Sequence, residues 1–199
     1  METHSSAHIY LEWVKGRLDE IDTTLASLEG CAAKLSGDAR AKADRAVADM
    51  HQARDTFGKL MKEQAKAGQE TLAQSKEVLN NQWALFERSF HTYVDAAGKQ
   101  VDVQRAAFEA RAAGQRKAWQ EAIDDLHKSA TAFAADHRAD LDKAITQMKT
   151  QADAMKAKFD KLYKAKGESW TALKSALSES RDALDRAYQA AHEAFKRAS

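Results

Sequence analysis

No proline occurs in the 199 residues, cysteine occurs once and glycine eight times. Proline lacks an amide hydrogen and clashes with the preceding turn, so each one inside a helix costs about 3 kcal/mol. An ordinary chain of this length would carry about ten. Their absence leaves almost every residue free to be helical and removes the rigid loops around which pockets are often built. The single cysteine, Cys31, excludes an intramolecular disulfide framework, and a cytoplasmic setting is the simplest expectation. No run of about 18 apolar residues is present, so no membrane-spanning segment is expected. The start, Met1-Glu2-Thr3-His4-Ser5-Ser6, is polar and without a basic region, so no leader peptide is expected either.

An excess of one charge is also missing. Lys and Arg number 31 against 30 Asp and Glu, for a net charge of +1. That balance argues against nonspecific nucleic-acid binding. The chemistry-bearing motifs are missing as well: no glycine-rich phosphate loop, no nucleophile elbow, no Cys-x-x-Cys. A di-metal bundle site needs Glu-x-x-His pairs on two helices, and neither Phe86-Glu87 nor His192-Glu193 supplies that spacing. The expectation is a protein that is not an enzyme and holds no cofactor.

What the chain does contain is 41 alanines and 31% charged residues, the composition of long helices and coiled coils. Alanine favours the helix but buries little apolar area, so any core will be thin. Residues 1–37 carry net charge −3 and residues 143–199 carry +5. Opposite ends of this kind favour antiparallel or head-to-tail packing, unless the difference is only a fluctuation in a solvated surface.

A first helix over 6–29 has the stripe Ile9, Trp13, Leu18, Ile21, Leu25 and Leu28, with Gly30 as its stop and Leu35-Ser36-Gly37-Asp38 as a loop. From Asp38 onward the apolar steps of 3 and 4 run almost unbroken. They pass through Met50, Phe57, Leu79, Trp83, Phe86, Phe90, Tyr93, Val101, Phe108, Trp119, Leu126, Leu141, Met148, Phe159, Trp170, Leu173, Leu184 and Phe195. The stripe thins at 64–71 and 104–115. One helix over 38–198 would be about 240 Å long, so it either pairs along its length or folds back. Gly58, Gly68, Gly98, Gly114 and Gly167 mark the candidate bends, with Gly167 and Gly114 the strongest. The expected architecture is all-α: an elongated antiparallel bundle or coiled coil of about four helices over 6–29, 38–112, 116–165 and 169–198. Its organisation would be a short helix and loop over 1–37 and a long region over 38–199 folded back near Gly114 and Gly167. An internal echo at an offset of 87 pairs Trp83 and Phe108 with Trp170 and Phe195. Two unrelated heptad seams would also partly match in this way.

His4 and His8, one turn apart with Glu12 beyond, form a weak candidate for Cu²⁺, Ni²⁺ or Zn²⁺, but no further ligand pair completes a set. His137 lies on the seam, where a polar residue would set register. The aromatics are the more telling class. Trp13, Trp83, Phe86, Phe90, Trp119, Phe159, Trp170, Leu173 and Phe195 are the candidate core or interface anchors, locking an otherwise slippery alanine seam. The alternative use of that stripe is an amphipathic face lying on a lipid or hydrophobic-granule surface.

Two stretches carry a resemblance. Tyr10-Leu11-Glu12-Trp13-Val14-Lys15-Gly16-Arg17-Leu18-Asp19-Glu20-Ile21-Asp22 resembles the opening of small bacterial coiled-coil proteins known as stress-response proteins. Glu168-Ser169-Trp170-Thr171-Ala172-Leu173-Lys174-Ser175-Ala176-Leu177, with the run from Ala183 to Phe195, resembles their ending. The middle of the chain is much longer than in the short members. The resemblance implies a noncatalytic, stress-linked helical protein; apolipoprotein-like and phasin-like proteins share only the amphipathic, alanine-rich character. The sequence thus leads to a helical protein that acts by self-association or by binding another helical protein, with a lipid or granule coat as the alternative.

Overall fold

The computed structural model describes residues 6–67, 72–131, 135–165 and 170–198. Among them it has six α-helices and no strand: α1 (Ser6–Ala32), α2 (Gly37–Ala67), α3 (Leu72–Ala97), α4 (Val101–Ala130), α5 (Ala135–Lys164) and α6 (Trp170–Ala198). The all-α reading holds, while the helix count and several turns differ from it. No described helix is long and apolar enough to cross a membrane.

The helix ends show where glycine was needed and where it was tolerated. Gly30 does not stop α1, which runs on to Ala32 before a turn closed by Lys34 N–H to Cys31 O and Leu35 N–H to Ala32 O, both 3.0 Å. The required glycine is Gly37, at φ +55°, where a side chain would be strained. The expected helix over 38–112 is broken by Gly98, also at φ +55°. Gly98 N–H reaches Asp95 O at 3.1 Å and Gln100 N–H reaches Ala97 O at 2.9 Å. Val101, a member of the expected stripe, therefore starts a new helix and is 63% exposed.

Gly114 is the opposite case. It lies inside α4, and the expected break at 112–116 does not occur. A Cβ placed there would stand 3.0 Å from Glu20 Cα and 3.2 Å from Glu20 O. The missing side chain lets two helices approach closely instead of bending one of them. The chain turns after Ala130, beyond that position. α5 ends at Lys164 and α6 begins at Trp170, while Gly167 and Gly68 lie outside the described residues.

The chain forms two compact units, one of residues 17–114 and one of residues 1–16 with 115–199. The division anticipated at residue 37 is not where the units part, because α1 is shared between them at Gly16/Arg17 and α4 at Gly114/Gln115. In the 17–114 unit, α2 and α3 form a hairpin joined by the C-terminal part of α1 and the N-terminal part of α4. Ile21, Leu28, Met50, Phe57, Phe86, Phe90 and Tyr93 fill it, and the Tyr93 hydroxyl donates to Leu28 O at 3.0 Å. In the other unit, α5 and α6 form the hairpin, joined by the N-terminal part of α1 and the C-terminal part of α4. Its core is Trp119, Leu126, Leu141, Met148, Leu184, Tyr188 and Phe195, with Trp13 packed against it. Each such large side chain contributes about 1.5–3 kcal/mol, and the many alanines between them little.

The two units are therefore built alike. Adding 98 to a residue number carries α1 onto α4, α2 onto α5 and α3 onto α6, within a few residues at every end. Gly16/Gly114, Leu28/Leu126, Asp38/Asp136, Arg40/Arg138, Asp44/Asp142, Met50/Met148, Leu79/Leu177 and Arg88/Arg186 are identical pairs at this spacing. The echo at 87 is not the structural one: Trp83 and Phe108 sit on either side of the Gly98 turn, whereas Trp170 and Phe195 share α6.

Candidate helix-association site

Each unit contains a slot filled by the N-terminal part of a long helix: residues 101–114 of α4 in one, residues 6–16 of α1 in the other. In the 17–114 unit the slot is organised by Arg111, among the largest fully buried side chains of the protein. Its Nε donates to Glu20 Oε1 at 3.0 Å, and a terminal nitrogen lies 2.7 Å from Glu87 Oε1. The guanidinium also stands over Phe90 and Phe86, 4.7 and 4.9 Å from the ring centres, while Arg17 covers Trp83 at 4.4 Å. Two arginines thus balance two glutamates in an aromatic surround. Burial acts to raise the Glu87 carboxyl, but the Arg111 guanidinium outweighs it, helped by His91 and Arg17, and holds that carboxyl below its ordinary value.

The slot for residues 6–16 uses the corresponding positions with different chemistry. Trp13, the counterpart of Arg111, donates its indole N–H to Asp185, the counterpart of Glu87, at 2.8 Å. Gly16, the counterpart of Gly114, faces Ala118, the counterpart of Glu20, and a Cβ on Gly16 would lie 3.5 Å from that of Ala118. The Tyr188 hydroxyl donates to Glu12 O at 3.4 Å, and Lys15 Nζ lies 3.7 Å from both Glu12 Oε2 and Asp125 Oδ2. The Glu12 carboxyl is pushed up to about 7 by burial first, then by its hydrogen bond to Asp125 and the nearby negative charges; Lys15 opposes this. At Asp125 burial pulls upward, but the Glu12 hydrogen bond, Lys128 and Lys15 prevail and the carboxyl lies below its ordinary value. Glu12 is accordingly the partner that carries the shared proton. Deeper in the same unit, Gln115 Nε2 donates to Leu177 O at 3.1 Å and Trp119 Nε1 to Ser180 Oγ at 3.3 Å.

The aromatic anchors fall into two groups. Trp83, Phe86 and Phe90 surround Arg111; Trp83 lies 5.1 Å from Phe86 and 6.4 Å from Phe57 by ring centre. Trp119 and Phe195 belong to the core of the other unit, with Trp13 half-buried beside them. Phe159 is buried and, with Trp119, Met155, Ala152, Arg116, Gln120 and Lys156, lines a cleft of about 280 Å³; Trp170 and Leu173 are half-buried on α6. No three His, Cys, Asp or Glu side chains among the described residues gather where they would hold a metal. His4 and the side chains of His8 and His137 lie outside the described residues.

The buried Arg17, Glu20, Arg111, Gln115 and Arg181 were not singled out by the sequence reading. A signal for two of them exists. From Phe108 the helical steps of 3, 4 and 4 lead through Arg111 and Gln115 to Trp119, so the thinning of the stripe near 104–115 marks polar residues occupying core positions. No protein-family model matches the chain, and no curated protein and no solved structure matches it.

Proposed function

We propose that this is a noncatalytic helical protein that acts by helix–helix association, first with itself and otherwise with another helical protein. The observation that carries this reading is the shared construction of the two units. Each is completed by a helical segment from the other half of the chain, seated through side chains that select it: Arg111 in one slot, Trp13 and Glu12 in the other. Such slots recognise a helix by its apolar stripe and a few polar registers. The likeness of the chain ends to bacterial stress-response proteins suggests a cytoplasmic stress setting.

Sedimentation velocity over about 1 µM to about 1 mM tests the reading, a range that reaches the effective concentration of linked modules. Association that grows with concentration is expected; a single monomeric species throughout would refute self-association. The coat reading draws on the same anchors. Among the described residues the large exposed apolar side chains are Val78, Val101 and Tyr163, and most anchors face the unit interiors. Lipid binding would thus require the helices to open, and co-sedimentation with anionic vesicles at low salt measures it.

A further inference from the structure

We propose that the partner is a second copy of this chain, with residues 1–98 of one copy pairing with residues 99–199 of the other, and the Gly98–Gln100 turn as hinge. The proposal rests on self-association as the mode of action and specifies its surface. The contacts that seat residues 10–16 include four to residues 115–199: Trp13 to Asp185, Lys15 to Asp125, Glu12 to Tyr188, Gly16 to Ala118. Arg111 and Gly114 are seated on Glu20 and Glu87, both within residues 17–98. A segment of the same sequence from another copy makes the same contacts unchanged. The closed monomer and the exchanged dimer then differ at the hinge and in chain entropy, the condition under which exchange of identical elements between protomers is low in cost.

The hinge has the form that exchange requires. It is three residues long, and Gly98, Lys99 and Gln100 are all exposed. It is held by backbone hydrogen bonds within residues 95–104, among them Gly98 N–H to Asp95 O, Gln100 N–H to Ala97 O and Val101 N–H to Lys99 O, and by Gln104 Nε2 donating to Gly98 O at 2.8 Å. These bonds are local, so opening the turn disturbs neither core. Gly98 sits at φ +55°, which other L residues avoid, so the closed turn depends on this one glycine. The short link keeps the two halves at an effective mutual concentration of about millimolar, so the monomer dominates when dilute and the dimer grows as copies approach that concentration. Short turns under conformational demand are those that exchange most readily.

The test is a disulfide between residues 16 and 118. A Cβ on Gly16 lies 3.5 Å from that of Ala118, within the spacing a disulfide needs. Gly16→Cys/Ala118→Cys in a Cys31→Ser background is refolded at about 1 µM and about 1 mM, oxidised and run without reductant. Wild-type chain refolded alongside reports its oligomeric state by light scattering. The expected result is an intrachain bridge in monomer from the dilute sample and an interchain bridge in dimer from the concentrated one. Gly98→Ala, which penalises the closed turn, should raise the dimer-to-monomer ratio about tenfold. Wild-type dimers without an interchain bridge in the variant would overturn this pairing and leave self-association standing. Wild type that stays monomeric at about 1 mM would overturn both.

Discussion

Replacing Arg111 by methionine tests the physical core of the account. Met keeps most of the aliphatic volume and the packing on Phe86 and Phe90, and removes the guanidinium. What remains is Glu20, whose side chain is 0% exposed, facing a methyl group in place of its cation. Removing one partner of a buried pair costs about 3–5 kcal/mol, because the other charge stays buried and uncompensated. For a chain of this size each kcal/mol lowers the melting temperature by about 2–4 °C, so a fall of about 6–20 °C is expected. The double variant Arg111→Met/Glu20→Leu also removes the carboxylate that the single variant strands, leaves Arg17 beside Glu87, and should recover part of the loss. Urea unfolding followed by circular dichroism at 222 nm reads both. An Arg111→Met cost below about 1 kcal/mol, or a double variant no better than the single one, would refute the claim that Glu20 depends on this arginine.

Glu12 and Glu87 give pH responses of opposite sign. Because the Glu12 carboxyl is raised to about 7, its contribution to stability is complete below the ordinary carboxylate range and lost as pH rises through about 7. At this half-buried position, screened by water, it amounts to about 1–2 kcal/mol; Glu12→Gln should flatten the pH 5–8 limb of the stability curve, and an unchanged limb would count against the shared proton. Glu87 lies below its ordinary value, so its contribution is present above that value and lost as pH falls through the lowered one; Glu87→Gln should reduce acid lability in the same urea titrations. Gly114→Ala should destabilise by about 1–3 kcal/mol because its Cβ would meet the Glu20 backbone at 3.0 Å. Gly58→Ala, with nothing within 4 Å of its Cβ inside a helix, should stabilise by about 0.5–1 kcal/mol; thermal melts of the two alanine variants should move in opposite directions.

The helical stripe was legible because apolar periodicity is a local property: Met50, Phe57, Phe86, Phe90, Leu184 and Phe195 all lie on it and all are buried. The turns were not. Ala96-Ala97-Gly98 and Ala112-Ala113-Gly114 are the same tripeptide, yet the first ends a helix at positive φ and the second runs through one against a neighbouring backbone. Local sequence offers no means of separating them; what separates them is the helix that packs on Gly114. The buried arginine was hidden for a related reason. A charged residue on an apolar seam reads as a gap until the partners that neutralise it, Glu20 and Glu87 from two other helices, are seen together. The spacing of 98 is faint in the sequence because many of its matching positions are small or charged, such as Gly16/Gly114 and Asp44/Asp142, whereas the large aromatic pairs recur at 87.

Each unit is completed by a segment from the other half of the chain. The most direct test is to place a protease site in the exposed Gly98–Gln100 turn, cut it, and ask whether the two pieces stay together. The expected result is one species by gel filtration, holding both fragments in equal amounts and retaining the helicity of the uncut protein. Two separated fragments, each folded, would contradict it.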